Sequence, residues 1–259
     1  MLEFREYPSD LSNEQWELIK DLIPPARAGG RPRTRDVRQL LNAVFYIVRS
    51  GCAWRYLPKS FPPWQTVYDY FSQWRQQGIW REIHLRLAKC ARTSAGKAPT
   101  PSTVIIDSQS IRAHYGEMRG WDGFKKVRGR KRQILVDTFG ILWGVGIHAA
   151  NSGDCRKGYL ATQAYPPNET IPKRILGDNE YGKGPFDLWV NHHWGIWPQS
   201  KKSSKTESNL RPTRWIVERS FAWFNHFRRL SRDYERKINT SVTMLYISQA
   251  RMLLNRLRN

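Results

Sequence analysis

The sequence predicts an α/β domain, a mixed sheet with flanking helices, preceded by a small helical domain of helix-turn-helix-like type. Three observations carry this. Short apolar runs of strand length begin only after residue 102, and there they alternate with helical patterns. The first 92 residues show helical periodicity broken by tight turns. Between the two, residues 93–102 (Thr-Ser-Ala-Gly-Lys-Ala-Pro-Thr-Pro-Ser) have the composition of a linker. The predicted division is therefore 1–92, 93–102 and 103–259.

In chain order, residues 11–23 form an amphipathic helix with Ser12 as N-cap and Gln15 completing a capping box, and Pro24-Pro25 ends it. A Gly- and Arg-rich linker runs from Arg27 to Arg35. Residues 36–50 place Val37, Leu40, Leu41, Val44, Phe45 and Val48 at helical spacing, and Gly51 stops that helix. A turn-rich connector leads to helices over about 65–77 and 80–92. Strands follow at 103–107, 131–137 and 141–149, the last two joined through Thr138-Phe139-Gly140 as a hairpin. Then come a helix at 156–165, a strand at 174–178, a helix at 184–193, a short strand at 196–199, and helices at 213–230 and 240–256.

The chain carries 43 Lys and Arg against 22 Asp and Glu, a formal net charge of +21. Such a balance points to a polyanionic partner, nucleic acid first, because cations on a phosphate backbone release its condensed counterions. No apolar run approaches the roughly 18–20 residues of a spanning helix, and the amino terminus lacks a signal-peptide pattern, so no membrane role is expected. Cys52, Cys90 and Cys155 form no CxxC pair, which argues against a zinc site or a disulfide framework. They read as small apolar residues in a reducing cytoplasm.

Against this basic background three acids occupy places a metal could use. Asp107 closes Val-Ile-Ile, Asp178 closes Ile-Leu-Gly, and Glu218 lies in a helical pattern among Trp215, Ile216, Val217 and Phe221. Magnesium needs hard oxygen ligands, and one or two carboxylates with substrate phosphate oxygens suffice. Two such ions roughly 3.5–4 Å apart can serve both the attacking and the leaving oxygen of a phosphodiester. Strand ends suit this work because they hold carboxylates without letting them relax apart. Glu218 has another reading: Arg214, four residues earlier, could pair with it across one helical turn.

With these acids, an ordered set of fragments resembles the DDE transposases of bacterial insertion sequences, in the insertion-sequence-5 group. The fragments are 51–58 (Gly-Cys-Ala-Trp-Arg-Tyr-Leu-Pro), 64–68, 106–110, 129–132, 148–151, Asp178 with Tyr181-Gly182, 214–223, 228–230 and 233–235. The resemblance implies a ribonuclease-H-like catalytic domain with Asp107, Asp178 and Glu218 as catalytic and metal-binding triad. It implies two Mg²⁺ ions, with Mn²⁺ as a substitute, and an amino-terminal region that binds the transposon ends. The reaction it implies is cleavage by water followed by attack of the 3′-hydroxyl on target DNA. Partners would be double-stranded DNA, as terminal inverted repeats and target, and a second copy of the chain on DNA, in the bacterial cytoplasm at the nucleoid. Two readings stand beside it: a DNA-binding descendant without catalysis, and a metal-dependent nuclease without strand transfer. Two departures stand out: Glu180 follows the second aspartate closely and could compete as a ligand, and Asn225 occupies a place where relatives often carry a cation.

The expected DNA contacts fall in three groups. Arg31, Arg33, Arg35 and Arg38 straddle the first linker as a phosphate or minor-groove arm. Gln65, Thr66, Tyr68 and Gln73 lie on the candidate recognition helix. The segment Arg119–Arg132 holds seven cations and three glycines around two aromatics. There Lys125, Lys126, Arg128, Arg130, Lys131 and Arg132 would meet phosphates, and Trp121 or Phe124 could stack on an unpaired base. Arg214 and Arg229 are added from the carboxyl-terminal region.

Overall fold

The computed structural model describes residues 6–25, 35–182, 184–199 and 211–257, with side chains from residue 215 onward in the last segment. Of the expected DNA contacts, Arg31, Arg33 and the Arg214 side chain lie outside the described residues, as does the 27–35 linker except for Arg35.

Ser12 opens the first helix through the predicted reciprocal cap, its hydroxyl accepting from the Gln15 N–H while the Gln15 side chain accepts from the Ser12 N–H. This helix, α1 (Asn13–Glu17), is shorter than the pattern over 11–23, which continues as a 3-10 turn at Lys20–Leu22. Ile23 is already extended, as the residue before a proline must be. Asp36 caps α2 (Val37–Ser50), and Gly51 ends it at φ +75°. A Cβ at Gly51 would lie 2.8 Å from the Arg228 Cβ, so packing and backbone both require glycine. Helices α3 (Trp64–Gln76) and α4 (Ile79–Ser94) follow.

The strands are β1 (Thr103–Arg112), β2 (Gly120–Asp122), β3 (Val127–Asp137), β4 (Leu142–Ala149) and β5 (Arg174–Leu176). They pair in the order β2-β3-β1-β5, with β4 beside β3 on the edge it shares with β2. β1 runs antiparallel to β3 and parallel to β5. β1 and β3 are longer than their apolar runs because their polar halves pair with each other, Ser108 through Arg112 opposite Gln133 through Gly129. Much of the predicted basic loop is therefore strand. Conversely, the strand expected at 196–199 is reduced to one parallel bridge, Leu176 to Gln199. The helix expected over 156–165 divides into α5 (Asp154–Lys157) and α6 (Tyr159–Gln163). Gly158 stands at the break, where a Cβ would lie 2.8 Å from the Phe186 ring. Helices α7 (Pro185–Trp194), α8 (Arg211–Asn225) and α9 (Ile238–Arg256) complete the chain, with a 3-10 turn at Arg228–Leu230.

Alternation assigns the two sheet faces. Ser108, Ser110, Lys131, Gln133, Gly144 and Gly146 share one face, against which α6 packs so closely that a Cβ at Gly144 would lie 2.0 Å from the Ala161 carbonyl oxygen. Asp107, Gln109, Arg130 and Arg132 share the other, and there Arg130 reaches Ser241 of α9. Helix α9 is buried nearly all round, as a helix must be when it separates other elements. It packs on α4, α2 and β4, and one hydrophobic cluster runs from Leu11 and Phe45 through Ile106 and Leu135 to Leu254.

Buried polar groups join distant segments inside this core. The Arg92 guanidinium meets Asp137 at 2.6 Å, and Asp137 also accepts the Phe139 and Ile141 N–H groups that shape the β3–β4 turn. Arg130, fully buried, donates to the Glu117, Glu235 and Arg236 carbonyls and to Ser241, and lies 3.1 Å from Asp233. Arg132 donates to the Leu230 carbonyl, and burial pushes its guanidinium down to about 10. His84 on α4 is fully buried with Nε2 2.7 Å from the Leu142 carbonyl oxygen, and burial, only partly countered by that bond, brings its imidazole down to about 4.

Two outcomes follow. Arg130→Ala removes the buried cation 3.1 Å from Asp233 and its hydrogen bonds to three carbonyls, and should cost about 3–5 kcal/mol in urea denaturation, whereas the exposed Arg128→Ala should stay within about 0.5 kcal/mol. Equal effects would contradict the buried-pair assignment. The lowered His84 value means that the fold resists a proton the unfolded chain accepts. Its contribution is intact above about pH 6.5 and is lost as the pH falls toward about 4. Stability in that window should drop by about 1.4 kcal/mol per pH unit relative to His84→Phe, and parallel pH profiles for the two proteins would refute it.

Candidate active site

Asp107 sits in the middle of β1, opposite Ile134, on the sheet face it shares with Arg132. The parallel partner β5 is offset by 71 positions: Thr103 meets Arg174, Val104 meets Ile175, and Ile105 meets Leu176. The ladder ends there, two residues before Asp107 on one strand and two before Asp178 on the other. Gly177 makes the close approach of the two segments possible, since a Cβ there would lie 3.1 Å from the Ile106 Cγ2 and 2.9 Å from the Tyr181 Cβ. The Gly177 N–H is held by the Gln199 carbonyl, so the segment is supported from its outer side as well.

Both carboxylates are anchored by backbone. Asp107 Oδ1 accepts the Ser108 N–H at 2.7 Å. Asp178 Oδ1 accepts the Glu180 N–H at 2.9 Å, and its carbonyl accepts the Tyr181 N–H at 3.1 Å, an Asx turn that ends the strand. The strand therefore does not continue to Glu180, which is exposed in the turn. Tyr181 is fully buried beneath the pair. Burial above all raises its phenol well beyond the usual range, and the charges of Asp154, Asp107 and Asp178 add to this against a hydrogen bond with Ser108. One side chain thus senses both aspartates.

Behind them lies a polar network that sequence reasoning did not assign. The Tyr181 hydroxyl donates to Gln133 Oε1, and Gln133 Nε2 donates to Asp154 Oδ1 at 2.9 Å and lies 3.2 Å from His148 Nε2. Lys131 bridges Asp154 at 3.2 Å and Asp122 at 3.8 Å. The 148–151 and 181–182 fragments were visible in the sequence as parts of the resemblance, but nothing in their spacing linked them to Gln133 or Asp154.

Glu218 is placed differently. Helix α8 packs on β1, and Ile216, Val217, Ser220 and Phe224 form its buried side, with Glu218 exposed. Ser220 donates to Gly140 O at 3.2 Å, and the Arg219 guanidinium lies between the Trp215 and Trp223 rings, 4.2 and 4.5 Å from their centroids. Among the described residues no three His, Cys, Asp or Glu side chains gather into a ready metal cage; what links Asp107 and Asp178 is that the charges of both act on Tyr181. One or two carboxylates completed by waters and phosphate oxygens are what a magnesium ion asks of a protein.

The expected DNA contacts divide sharply. Arg35, Gln65 and Tyr68 are exposed, with Thr66 and Gln73 half-buried beside them, and Trp121, Phe124, Lys125, Lys126 and Arg128 form an exposed ribbon. Arg130 and Arg132 must be withdrawn from the phosphate-facing set, because the core encloses both. Arg229 goes with them: its Nε lies 2.7 Å from Glu235 and its Nη1 donates to the Cys52 carbonyl. Lys131 is mostly covered and ion-paired. Arg38 is engaged by Asn13 Oδ1 at 2.6 Å and by the Leu11 carbonyl.

Comparison with known proteins places these features. Residues 98–253 match the family model described as "Transposase DDE domain", and residues 11–84 match one described as "Putative transposase of IS4/5 family". The chain is 28% identical over 138 residues to the "Putative transposase for insertion sequence element IS402" of Burkholderia cepacia, covering 50% of this chain and 65% of that protein. It is 32% identical over 105 residues to the "Uncharacterized protein y4sN" of Sinorhizobium fredii, covering 40% of this chain and 77% of that protein. No solved structure matches significantly. No helix among the described residues is long and apolar enough to cross a membrane. With its mixed sheet and amino-terminal helices, the fold is ribonuclease-H-like, and the chain belongs to the DDE transposase family.

Proposed function

We propose that this protein binds the ends of an insertion sequence, cleaves them by metal-dependent hydrolysis and joins the freed 3′-hydroxyl to target DNA. The observation that supports this reading is that Asp107 and Asp178 each follow by two residues the end of the parallel β1–β5 ladder and both act on the buried Tyr181. Their carboxylates are oriented by the Ser108 and Glu180 N–H groups and would hold Mg²⁺, or Mn²⁺ in its place. Bound there, the ions supply a Lewis acid for the attacking and leaving oxygens of the phosphodiester. Glu218 joins the pair from α8, which already rests on β1, when DNA is bound.

End recognition is assigned to the helical region of residues 1–92, with Gln65, Thr66, Tyr68 and Gln73 on α3 and Arg35 nearby as the reading surface. Residues 103–259 carry the chemistry. Bringing two ends together calls for at least two copies of the chain on DNA.

The test is an incubation of the purified protein with end-containing DNA, Mg²⁺ or Mn²⁺, and a target plasmid. Asp107→Asn, Asp178→Asn and Glu218→Gln should each reduce cleavage and joining below detection while leaving end binding in gel shifts nearly unchanged. Wild-type cleavage without joined product would identify a nuclease instead, and end binding without cleavage would identify a non-catalytic DNA-binding protein. A Glu218→Gln protein that cleaves at the normal rate would remove Glu218 from the triad.

A further inference from the structure

We propose that a cleft at the far end of β1 is a subsite for one unpaired nucleotide of a DNA strand, an inference that rests on the reading of the chain as a DNA-processing enzyme. The cleft has a volume of about 460 Å³ and is lined by Arg112, His114, Arg119, Trp121, Lys126 and Arg128, with Ala113 at its base. No carboxylate lines it. Arg232 adds a further cation beside it, its Nη1 3.2 Å from His114 Nε2. The volume suits a nucleotide or similar small molecule, and a duplex is too wide to enter.

The chemistry of the walls is that of a single-strand site, cations for the backbone and an aromatic face for a base. Trp121 is 56% exposed and stands directly opposite Arg128 across the β2–β3 ribbon. Alternation turns its neighbour Asp122 inward, where it is buried. Gly123 helps to leave the indole uncovered, since even a Cβ there would sit 3.8 Å from its Nε1.

The cleft is also held in shape before any ligand arrives. Asp122 Oδ1 accepts the Phe124 and Lys125 N–H groups and sets the turn, and Lys126 is kept at φ +53°, a conformation rare for a lysine. Gly120 and Gly129 face each other across the ribbon where chain segments crowd together. A Cβ would come within 2.2 Å of the Asn151 side-chain oxygen at the first and 2.0 Å of the Ile111 carbonyl oxygen at the second. Strain and close packing at an exposed cationic cleft indicate a surface built for a ligand.

Arg112 is five residues beyond Asp107 on the same strand, roughly 17 Å at the rise of a β-strand, and the odd spacing turns it to the sheet face opposite Asp107. The cleft is therefore a subsite of its own at the sheet edge.

The experiment uses the full chain, a fluorescein-labelled oligothymidylate and a fully paired end duplex, with affinities read by fluorescence anisotropy over a series of salt concentrations. Trp121→Ala should weaken oligothymidylate binding about tenfold, and Trp121→Phe should restore most of it. Affinity for the paired duplex should remain nearly unchanged in both variants. Trp197→Ala, an exposed aromatic outside the cleft and outside the expected DNA contacts, should leave oligothymidylate binding as it is. Arg119→Ala and Arg128→Ala should each reduce the salt slope by about one. The proposal is overturned if Trp121→Ala leaves single-strand affinity unchanged, if it weakens both DNAs equally, or if the wild-type chain binds the duplex alone. Failure to bind either DNA would overturn the DNA-processing reading as well.

Discussion

The pairing of β1 on both edges is the constraint from which the candidate site follows. On one side the strand is locked antiparallel to β3 over nine consecutive residue pairs, from Val104 opposite Asp137 to Arg112 opposite Gly129. On the other it is parallel to β5 at a fixed offset. A one-residue slip in either ladder would turn Asp107 to the opposite face of the sheet, away from Asp178 and from α8. Register is held by burial on both faces. Val104, Ile106, Ile134 and Leu135 lie in the core, and Gly144 and Gly146 admit α6 so tightly that no side chain fits at either position. The geometry of two carboxylates is thus set by the packing of a whole sheet.

The charge of the chain divides into two populations with different work. A cation whose neighbours are carbonyls and a buried carboxylate is a structural cross-link, and Arg130, Arg132, Arg229 and Arg92 are of this kind. They tie β3 to the 228–241 segment and α4 to the β3–β4 turn. Cations on the ribbon, at Arg35 and beside the β1 terminus remain available to a polyanion. The formal excess of +21 therefore overstates the surface that can meet DNA, and one concentration of the exposed remainder lines the Trp121 cleft.

Much of this was legible in the sequence, for definite physical reasons. Ser12 with Gln15 and Gly51 mark helix ends because capping chemistry is local. Asp107 and Asp178 stand out as candidates because each closes an apolar run. The polar extensions, 108–112 of β1 and 127–130 of β3, were not, since Ser108, Gln109, Gly129 and Arg130 show no alternation of hydrophobicity and become strand only by pairing with their neighbours. Arg130 and Arg132 read as phosphate contacts because a basic run looks the same whether it faces solvent or Asp233. Likewise, the network of Tyr181, Gln133, His148 and Asp154 depends on contacts between residues far apart in the chain, which local spacing does not disclose.

The most direct test of the claim that Asp107 and Asp178 form one metal-holding pair is a crystal of the wild-type protein with Mn²⁺ and end DNA, measured by anomalous diffraction. A manganese peak within about 2.0–2.3 Å of oxygens from both side chains is the expected result. Manganese bound elsewhere, or bound by one aspartate with the other turned away, would contradict it.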